Sequence, residues 1–350
     1  MRVLVTGGCG FIGSALVRRL IADGHDVLNL DAMTYAGDSR AVADVAGSAR
    51  YQFLEADISD PAAVTGAFAD FRPQQVFHLA AESHVDRSID GPDVFIRTNL
   101  VGTSVMLDAA LAYWRALDDG DSFRFLHVST DEVYGSLAPN DAAFSEETPY
   151  APNSPYAASK AGADHLVRAW TETYGLPALI TNCSNNYGPF QHSEKLIPTV
   201  IRTALSGGEI PVYGKGENVR DWLYVEDHVD GLLAAIGRGR TGCKYNFGGN
   251  AERTNIDLVR TLCRLLDERR PGATPYAEQI RFVTDRPGHD MRYAVNAGRA
   301  EAELGWTPGM SLDEGLAATV DWYLAHPDWL SRDSDEIARL GLGRNKGSRA

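Results

Sequence analysis

Short apolar runs alternate with amphipathic stretches through the first half of the chain. The runs at 3–5, 26–30, 51–55, 75–79, 123–129 and 176–182 predict strands, and the stretches at 11–21, at 62–71 and up to about residue 174 predict helices. This alternation is typical of βαβ units, whose crossovers are right-handed. It predicts an α/β fold with a doubly wound parallel sheet, of the Rossmann type.

The pattern changes after about residue 183. Prolines interrupt shorter elements there, and helices are predicted over 194–205, 226–236, 255–269 and 312–324. We expect residues 1–183 to form the sheet domain. We expect residues 184–330 to form mainly a smaller, mixed α/β domain that covers a substrate, with segments near 222–240 returning to the first domain. Residues 331–350 are mostly polar and predict a mobile C-terminal tail.

Composition restricts the class of protein. The chain has 350 residues, of which 44% are hydrophobic, as in a globular protein. Its net charge of −14 argues against a nucleic-acid partner, whose binding surfaces are basic. The four cysteines form no C-x-x-C pair, which indicates a reducing compartment and predicts no metal site. Because the chain has neither a signal-peptide core nor 18 consecutive apolar residues, we expect a cytoplasmic protein without a membrane partner.

Three glycines, at positions 7, 10 and 13, lie where the first predicted strand is followed by the first predicted helix, which begins with Phe11 and Ile12. Gly7 permits a tight turn, Gly10 lets a pyrophosphate approach the backbone, and Gly13 allows close packing of helix on strand. The N–H groups and the dipole at the start of this helix attract phosphates. The pattern therefore predicts a dinucleotide site, with an ordinary glycine turn as the alternative.

Acidic and small residues follow the next strands. Asp31 closes the second strand, where a carboxylate binds the adenosine ribose hydroxyls and repels a 2′-phosphate. This favours NAD over NADP, although such an aspartate can also cap a turn. Asp57 and Ile58 follow the third strand and suit either the adenine or an ordinary loop. The fourth strand ends in residues small enough for a cofactor to cross it, namely Leu79, Ala80 and Ala81.

Tyr156 and Lys160 stand at i and i+4 on a predicted helix, and therefore on one face of it. A phenol with an ordinary pKa near ~10 is not a base at neutral pH, and a neighbouring ammonium lowers that pKa. Thr130, at the end of another strand, can hold a sugar hydroxyl by a hydrogen bond. A Tyr-x-x-x-Lys pattern alone arises by chance in many helices, but here it follows the glycine pattern and a Ser-Thr strand end.

These features together resemble the extended short-chain dehydrogenase/reductase superfamily. Within it, residues 2 to about 330 resemble the dTDP-glucose 4,6-dehydratases. The narrower resemblance rests on five segments in the same order: HLAAESHVD (78–86), STDEVYG (129–135), NNYGP (185–189), VRDWL (219–223) and DRPGHD (285–290). It implies a resident NAD, a dTDP-glucose substrate and a homodimer formed through helices at 99–115 and 154–174.

Asp131 and Glu132 follow Thr130 at the carboxyl end of a strand, where doubly wound sheets bind ligands. Two adjacent acids usually form a solvated loop. Beside a Tyr/Lys pair they can supply the base and the protonated acid that loss of water from a hexose requires. Because like charges raise one of the two pKa values, one carboxyl group can stay protonated. The residues alone do not say which, and the resemblance assigns Asp131 as acid and Glu132 as base.

The resemblance implies a reaction in three stages. Tyr156 takes the proton of the C4 hydroxyl while C4 is oxidised. Glu132 then removes the C5 hydrogen while Asp131 protonates the departing C6 hydroxyl. Hydride returns to C6, which gives a 4-keto-6-deoxy sugar, so that no external reductant is consumed.

The substrate diphosphate calls for cations, and guanidinium groups offer bidentate contacts to phosphate oxygens. Arg220 and Arg286 are the candidates, with surface salt bridges as the alternative. The resemblance adds further substrate residues: Asn185, Lys195, Leu196, Pro211, Tyr213, Asn255 and His289. Glu82 and Ser83 are expected to face the hexose.

Two other functions remain open. A 4-epimerase on another nucleotide hexose, such as UDP-glucose, would have small neutral residues after Thr130. A redox sensor or scaffold that had lost activity would have a broken Tyr/Lys pair or glycine pattern. The sequence fits neither of these expectations, and it does not show whether the base is thymine or uracil.

Overall fold

The computed structural model describes residues 1–118, 120, 122–285 and 289–330. In that part of the chain, the main sheet has seven parallel strands in the order β10-β6-β5-β4-β1-β2-β3. Their bounds are β1 Arg2–Thr6, β2 Asp26–Asp31, β3 Tyr51–Glu55, β4 Gln75–His78, β5 Arg124–Thr130, β6 Ala178–Cys183 and β10 Lys244–Phe247. Strands β1 to β6 stand in the order of a dinucleotide-binding sheet. In such a sheet the direction in which strands are added reverses next to β1. The predicted doubly wound parallel sheet is confirmed.

Helices cover both faces of this sheet. One face packs on α1 Phe11–Ala22, α8 Val225–Arg238 and α10 Gly298–Leu304. The other face packs on α2 Pro61–Phe71, α5 Thr103–Arg115 and α6 Pro155–Tyr174. Because both faces are covered, the central strands are almost wholly buried, as parallel strands usually are.

A continuous helical segment leads into α5. It consists of α4 Pro92–Phe95, a π-helical stretch Ile96–Gly102 and α5 itself, and it follows the short helix α3 Val85–Asp90. By length and apolar composition this segment, Pro92–Arg115, could cross a membrane, and half of it is buried inside the fold. Its buried side chains, including Met106 and Ala110, belong to the core beneath the main sheet.

A second core lies beside the carboxyl ends of the strands. It is built on two small sheets. One has the order β11-β9-β7 and the other pairs β12 with β8. Their bounds are β7 Asn185–Tyr187, β8 Ile210–Tyr213, β9 Val219–Tyr224, β11 Glu252–Thr254 and β12 Ile280–Val283. The helices around them are α7 Leu196–Leu205, α9 Asn255–Arg269, α11 Leu312–Ala325 and α12 Pro327–Leu330. This is the smaller mixed α/β part that the sequence predicts.

The predicted elements of the first half lie within two residues of the observed ones. The helix predicted from 194 begins at Leu196, because Lys195 keeps an extended backbone. From beyond residue 183, β10 joins the main sheet, and α8, which lies in the segment near 222–240, packs against it. The domain boundary at 183 stays a prediction, and the predicted tail lies outside the described residues.

Candidate active site

The turn between β1 and α1 leaves bare backbone at the sheet edge. Gly7 has a φ of +74°, and a Cβ there would lie 2.8 Å from the backbone of Ala80. A Cβ on Gly13 would lie 2.1 Å from the carbonyl oxygen of Gly7. Gly10 directly precedes α1 and offers no capping side chain, so the first N–H groups of the helix stay available to an anion. The turn therefore fits a pyrophosphate, as predicted.

The carboxyl group of Asp31 is fixed at the end of β2. Its Oδ2 accepts a hydrogen bond from the Cys9 N–H at 2.9 Å, and its Oδ1 accepts one from the Met33 N–H at 2.9 Å. Burial raises its pKa, and these two hydrogen bonds oppose the effect. The side chain is thus held by backbone and faces a cavity that begins at the glycine turn.

This cavity, which we call the dinucleotide cavity, runs along the strand ends and has a volume of about 320 Å³. That volume is within the usual range for small-molecule sites. All the residues predicted to hold the cofactor line it: Gly7, Gly10, Phe11, Ile12, Gly13, Asp31, Asp57, Ile58, Leu79, Ala80, Ala81, Tyr156 and Lys160. Glu82 and Thr130 line it as well.

A second cavity, the adjoining cavity, opens from the first toward the smaller part of the protein. It brings together most of the residues predicted for the substrate: Ser83, Asn185, Lys195, Leu196, Pro211, Tyr213, Arg220, Asn255 and His289. Five residues line both cavities: Ser83, Glu132, Asn185, Glu194 and Lys195. The boundary between the cavities is therefore where a cofactor and a substrate would meet. Arg286 lies outside the described residues.

Thr130, Asp131 and Glu132 stand at this boundary. Thr130 ends β5, and its hydroxyl accepts a hydrogen bond from the Glu132 N–H at 3.3 Å and donates one to Asp131 Oδ1 at 3.4 Å. Asp131 is only 2% exposed, and its Oδ2 has no partner among the described residues. Burial, Glu132 and Asp221 raise the pKa of Asp131 well above its usual value. The solvated-loop interpretation of this acidic pair is therefore wrong.

Tyr156 and Lys160 lie on one face of α6 beside these acids. The Lys160 ammonium donates a hydrogen bond to the Val128 carbonyl at 2.8 Å and lies 3.3 Å from His127 Nε2. The pKa of Tyr156 is well above its usual value because the phenol is buried beside Glu132, although a hydrogen bond with Thr130 lowers it. From Lys160 alone a lowered pKa of Tyr156 is expected. The pKa is raised because the phenol is buried and the Lys160 ammonium is directed at strand β5.

Arg220 is the buried cation of the adjoining cavity. It is 5% exposed and donates hydrogen bonds to the carbonyl oxygens of Val219 and Asp290, at 2.7 and 3.0 Å. Its guanidinium lies 4.3 Å from the centre of the Tyr293 ring. A surface salt bridge therefore does not describe it. Its charge lowers the pKa of Asp131, so it also acts on the acidic pair.

Other predicted substrate residues carry polar groups into the adjoining cavity. Lys195 donates a hydrogen bond to the Ser83 carbonyl at 3.3 Å, and the Tyr213 hydroxyl donates one to Asp86 at 3.2 Å. The His289 ring packs edge-on against Tyr213, with ring centres 6.0 Å apart. The contact between Tyr213 and His289 brings the end of β8 and the loop after β12 together on one wall of the cavity.

Glu194 is a residue of the site that was not predicted from the sequence. Its side chain is buried and lines both cavities. Its carboxylate lies 3.7 Å from each of His84 Nε2 and His192 Nδ1, and burial raises its pKa. The signal available in the sequence was an acid directly before a basic residue at a helix start, which is too common to single out.

Metal ligation has no support in the described ranges, where no group of three or more His, Cys, Asp or Glu side chains is placed to hold an ion.

Comparison with known proteins agrees with this geometry. A family model described as GDP-mannose 4,6 dehydratase matches residues 4–319. The dTDP-glucose 4,6-dehydratase of Shigella flexneri is 55% identical over 341 residues, with 94% of each chain covered. The crystal structure of DesIV, a dTDP-glucose 4,6-dehydratase from Streptomyces venezuelae with NAD bound, is 44% identical, with a TM-score of 0.86 and with 94% of this chain and 98% of that chain covered.

A UDP-glucose 4-epimerase from Thermotoga maritima is more distant. Its structure with UDP-glucose is 29% identical, with a TM-score of 0.82, and covers 93% of this chain and 100% of that one. The fold is thus common to dehydratases and epimerases, whereas the sequence identity is higher to the dehydratases. The chain belongs to the dTDP-glucose 4,6-dehydratase family, within the extended short-chain dehydrogenase/reductase superfamily.

Proposed function

We propose that this chain is a dTDP-glucose 4,6-dehydratase, a hydro-lyase that converts dTDP-glucose to dTDP-4-keto-6-deoxyglucose and water. One observation carries the proposal. Tyr156, Asp131 and Glu132 line a single dinucleotide cavity, and Glu132 also lines the adjoining cavity. A base, an acid and a group that takes the C4 hydroxyl proton therefore converge on one space.

NAD fits the dinucleotide cavity through the glycine turn and Asp31. The backbone of Gly7, Gly10 and Gly13 would hold its pyrophosphate, and the Asp31 carboxylate would hold the adenosine ribose. When bound, NAD would supply the acceptor of hydride from C4, the donor of hydride to C6 and a positive charge. Asp57 and Ile58 would flank the adenine.

Tyr156 is proposed to remove the C4 hydroxyl proton, with Thr130 holding the hydroxyl. Because the pKa of Tyr156 is raised in the protein alone, the phenolate requires positive charge nearby. Lys160 supplies one such charge from the next turn of α6. A hydrogen bond to the Val128 carbonyl fixes this ammonium on the face of α6 that carries Tyr156.

The acidic pair is proposed to carry out the elimination. Glu132 would take the C5 proton, which a ketone at C4 makes acidic. Asp131 would give its proton to the C6 hydroxyl as it leaves. The raised pKa of Asp131 keeps this carboxyl group protonated and therefore able to donate.

The adjoining cavity is proposed to bind the nucleoside diphosphate. Arg220 would hold the diphosphate, since a buried guanidinium binds anions more strongly than an exposed one. Arg286 would join it, and Asn185, Asn255 and His289 would add hydrogen bonds. Lys195, Leu196, Pro211 and Tyr213 would surround the nucleoside, and Glu82 and Ser83 would face the hexose.

A 4-epimerase is the second candidate, because UDP-glucose 4-epimerase shares the fold. Epimerisation at C4 requires the phenol and the nicotinamide but no removal of a C5 proton. Asp131 and Glu132 would then have no part in the reaction, although one is buried with a raised pKa and the other lies where the cavities meet. The acidic pair therefore favours the dehydratase.

We also propose a homodimer in the cytoplasm, without nucleic acid or membrane as partner. Four apolar side chains near the start of the helical segment are 41–48% exposed, namely Ile89, Val94, Ile96 and Val101. Such a patch supports an interface. Light scattering should give twice the chain mass, and Val94→Glu with Ile96→Glu should give single chains, whereas Phe282→Glu, at another exposed apolar residue, should not. A native single chain would refute the dimer.

The function is tested by turnover of dTDP-, UDP-, GDP- and CDP-glucose, with products identified by mass spectrometry. Loss of one water from dTDP-glucose is the expected result. Formation of a galactose nucleotide without loss of water would support the epimerase. No turnover of any of the four nucleotide sugars would support a redox sensor or scaffold that has lost activity.

A further inference from the structure

A buried carboxylate behind Lys160 has no part in the proposed mechanism. Asp164 stands one helical turn beyond Lys160 and two beyond Tyr156, so the three side chains share a face of α6. It is 2% exposed. Burying a carboxylate is costly unless hydrogen bonds and charge compensate it, so its partners indicate what holds it there.

One oxygen of Asp164 connects the helix to the strands. Its Oδ2 accepts hydrogen bonds from the Ser129 hydroxyl at 2.9 Å, the Tyr150 hydroxyl at 2.8 Å and the Asn182 amide at 3.3 Å. The same Asn182 amide donates to the Thr130 carbonyl at 3.1 Å. The carboxylate therefore fixes α6, which carries Tyr156 and Lys160, against the strand end that carries Thr130.

The other oxygen of Asp164 faces His127. His127 Nε2 lies 3.3 Å from Asp164 Oδ1 and 3.3 Å from Lys160 Nζ. Burial and Lys160 lower the pKa of His127 to about 4, so the ring is neutral at neutral pH. Its Nε2 then either donates a proton to Asp164 or accepts one from Lys160. His127 Nε2 thus lies between the carboxylate and the ammonium, 3.3 Å from each.

The other titratable groups around Lys160 carry no compensating charge. The His78 ring is 5.2 Å from the His127 ring, and burial lowers its pKa well below the usual value. Burial raises the pKa of Cys183 to about 12, so its thiol is neutral. On the opposite side, Asp131 and Glu132 act on Tyr156 rather than on Lys160.

The titratable groups packed around Asp164 include two tyrosines and a lysine. Tyr150 and Tyr134 have raised pKa values and stay neutral. Lys244 is a second cation, with its Nζ 4.5 Å from the centre of the Tyr150 ring. Burial lowers the pKa of Lys244 and the charge of Asp164 raises it, while Lys160 is the cation that lies on the His127 side of the carboxylate.

We propose that Asp164 is a positioning residue, which acts through His127 to keep Lys160 charged and in place beside Tyr156 and so sets the upper limit of the pH range in which the enzyme works. The proposal rests on the proposed function of Tyr156 and Lys160. Lys160 has a pKa of about 8, because burial lowers it while Asp164 raises it. Loss of the carboxylate should therefore neutralise Lys160 at a lower pH.

The test is the pH profile of kcat/KM for dTDP-glucose in the NAD-loaded enzyme. In Asp164→Asn the alkaline limb should move down by about one pH unit or more, with kcat reduced and KM within about twofold of native. The control is Glu172→Gln, an exposed carboxylate on the same helix, which should leave the profile in place. A lower thermal midpoint with an unmoved limb would show a purely structural role and overturn the proposal.

A second pair of variants covers the case in which Asp164→Asn does not fold. His127→Gln can still accept from Lys160 and donate to Asp164, and it should keep the limb near its native pH. His127→Leu can do neither, and its limb should move down. Alkaline limbs at the same pH in these two variants would also overturn the proposal.

Acylation of Lys160 by acetic anhydride, followed across pH by peptide mass spectrometry, gives a readout independent of turnover. The pH at which Lys160 becomes reactive should fall in Asp164→Asn. If the native enzyme turns over no nucleotide sugar, the proposed function fails, and this measurement still tests the charge relationship.

Discussion

Asp131 and Glu132 are consecutive residues, yet only Asp131 is closed off from solvent, while Glu132 reaches the wall that the two cavities share. The difference separates their chemistry. Burial and the neighbouring Glu132 carboxylate raise the pKa of Asp131, so this group holds its proton more tightly than an ordinary aspartic acid. Glu132 is then the partner placed to take one.

Replacing Glu132 by Gln should remove the base without changing the size of the side chain. We expect product formation to fall by about 10²–10⁴-fold, the usual contribution of such a group. Oxidation at C4 does not use Glu132, so the absorbance of reduced nicotinamide should rise when dTDP-glucose is added. The control is Glu147→Gln, whose side chain is 81% exposed. Unchanged product formation in Glu132→Gln would contradict the role of this residue.

Replacing Asp131 by Asn should reduce elimination by a similar factor and stabilise the fold above acidic pH. The pKa of Asp131 is raised on folding, so its contribution to stability is present below the unfolded-state pKa near ~4 and is lost as pH rises through the folded-state pKa. The thermal midpoint of Asp131→Asn should therefore exceed the native midpoint by a margin that grows with pH. A constant margin from pH 4 to pH 8 would refute the raised pKa.

Tyr156→Phe should stop the reaction before C4 is oxidised. We expect kcat to fall by at least about 10²-fold and no reduced nicotinamide to appear, because no group is left to accept the hydroxyl proton. Tyr174→Phe, at the exposed end of the same helix, is the matched control. Reduced nicotinamide at native levels in Tyr156→Phe would show that another group takes this proton.

Gly13→Ala should prevent NAD binding. The added Cβ would lie 2.1 Å from the Gly7 carbonyl oxygen, so the turn has to open. Gly66→Ala places its Cβ in open space on α2 and should bind NAD normally, with a gain in stability of about 1 kcal/mol. The measurement is NAD released per chain on denaturation. Equal NAD content in the two variants would argue against the glycine turn as the pyrophosphate site.

The sequence predicted most of the main sheet because its strands carry short apolar runs and most of the connections between them contain an amphipathic helix. It did not predict β10 or the short strands β7, β8, β9, β11 and β12. These strands have three to six residues and take their partners from distant parts of the chain, so local periodicity carries little signal for them.

In the site, the predicted residues share recognisable spacings, and the two cavities bring them together. Their electrostatics could not be predicted. The pKa of Tyr156 depends on its burial beside Glu132, and the partners of Lys160 come from β5, well before it in the chain. Asp164 and Glu194 gave no signal, since an isolated acid on a helix is usually a solvated one.

The most direct test of the account uses dTDP-glucose that carries deuterium at C4. If Tyr156, Glu132 and Asp131 act on one hexose beside one nicotinamide, mass spectrometry should find the product lighter by one water, with the deuterium at C6 of the 4-keto-6-deoxy sugar. A product that has kept its C6 hydroxyl and carries the deuterium at C4 with inverted configuration would contradict the account and identify an epimerase.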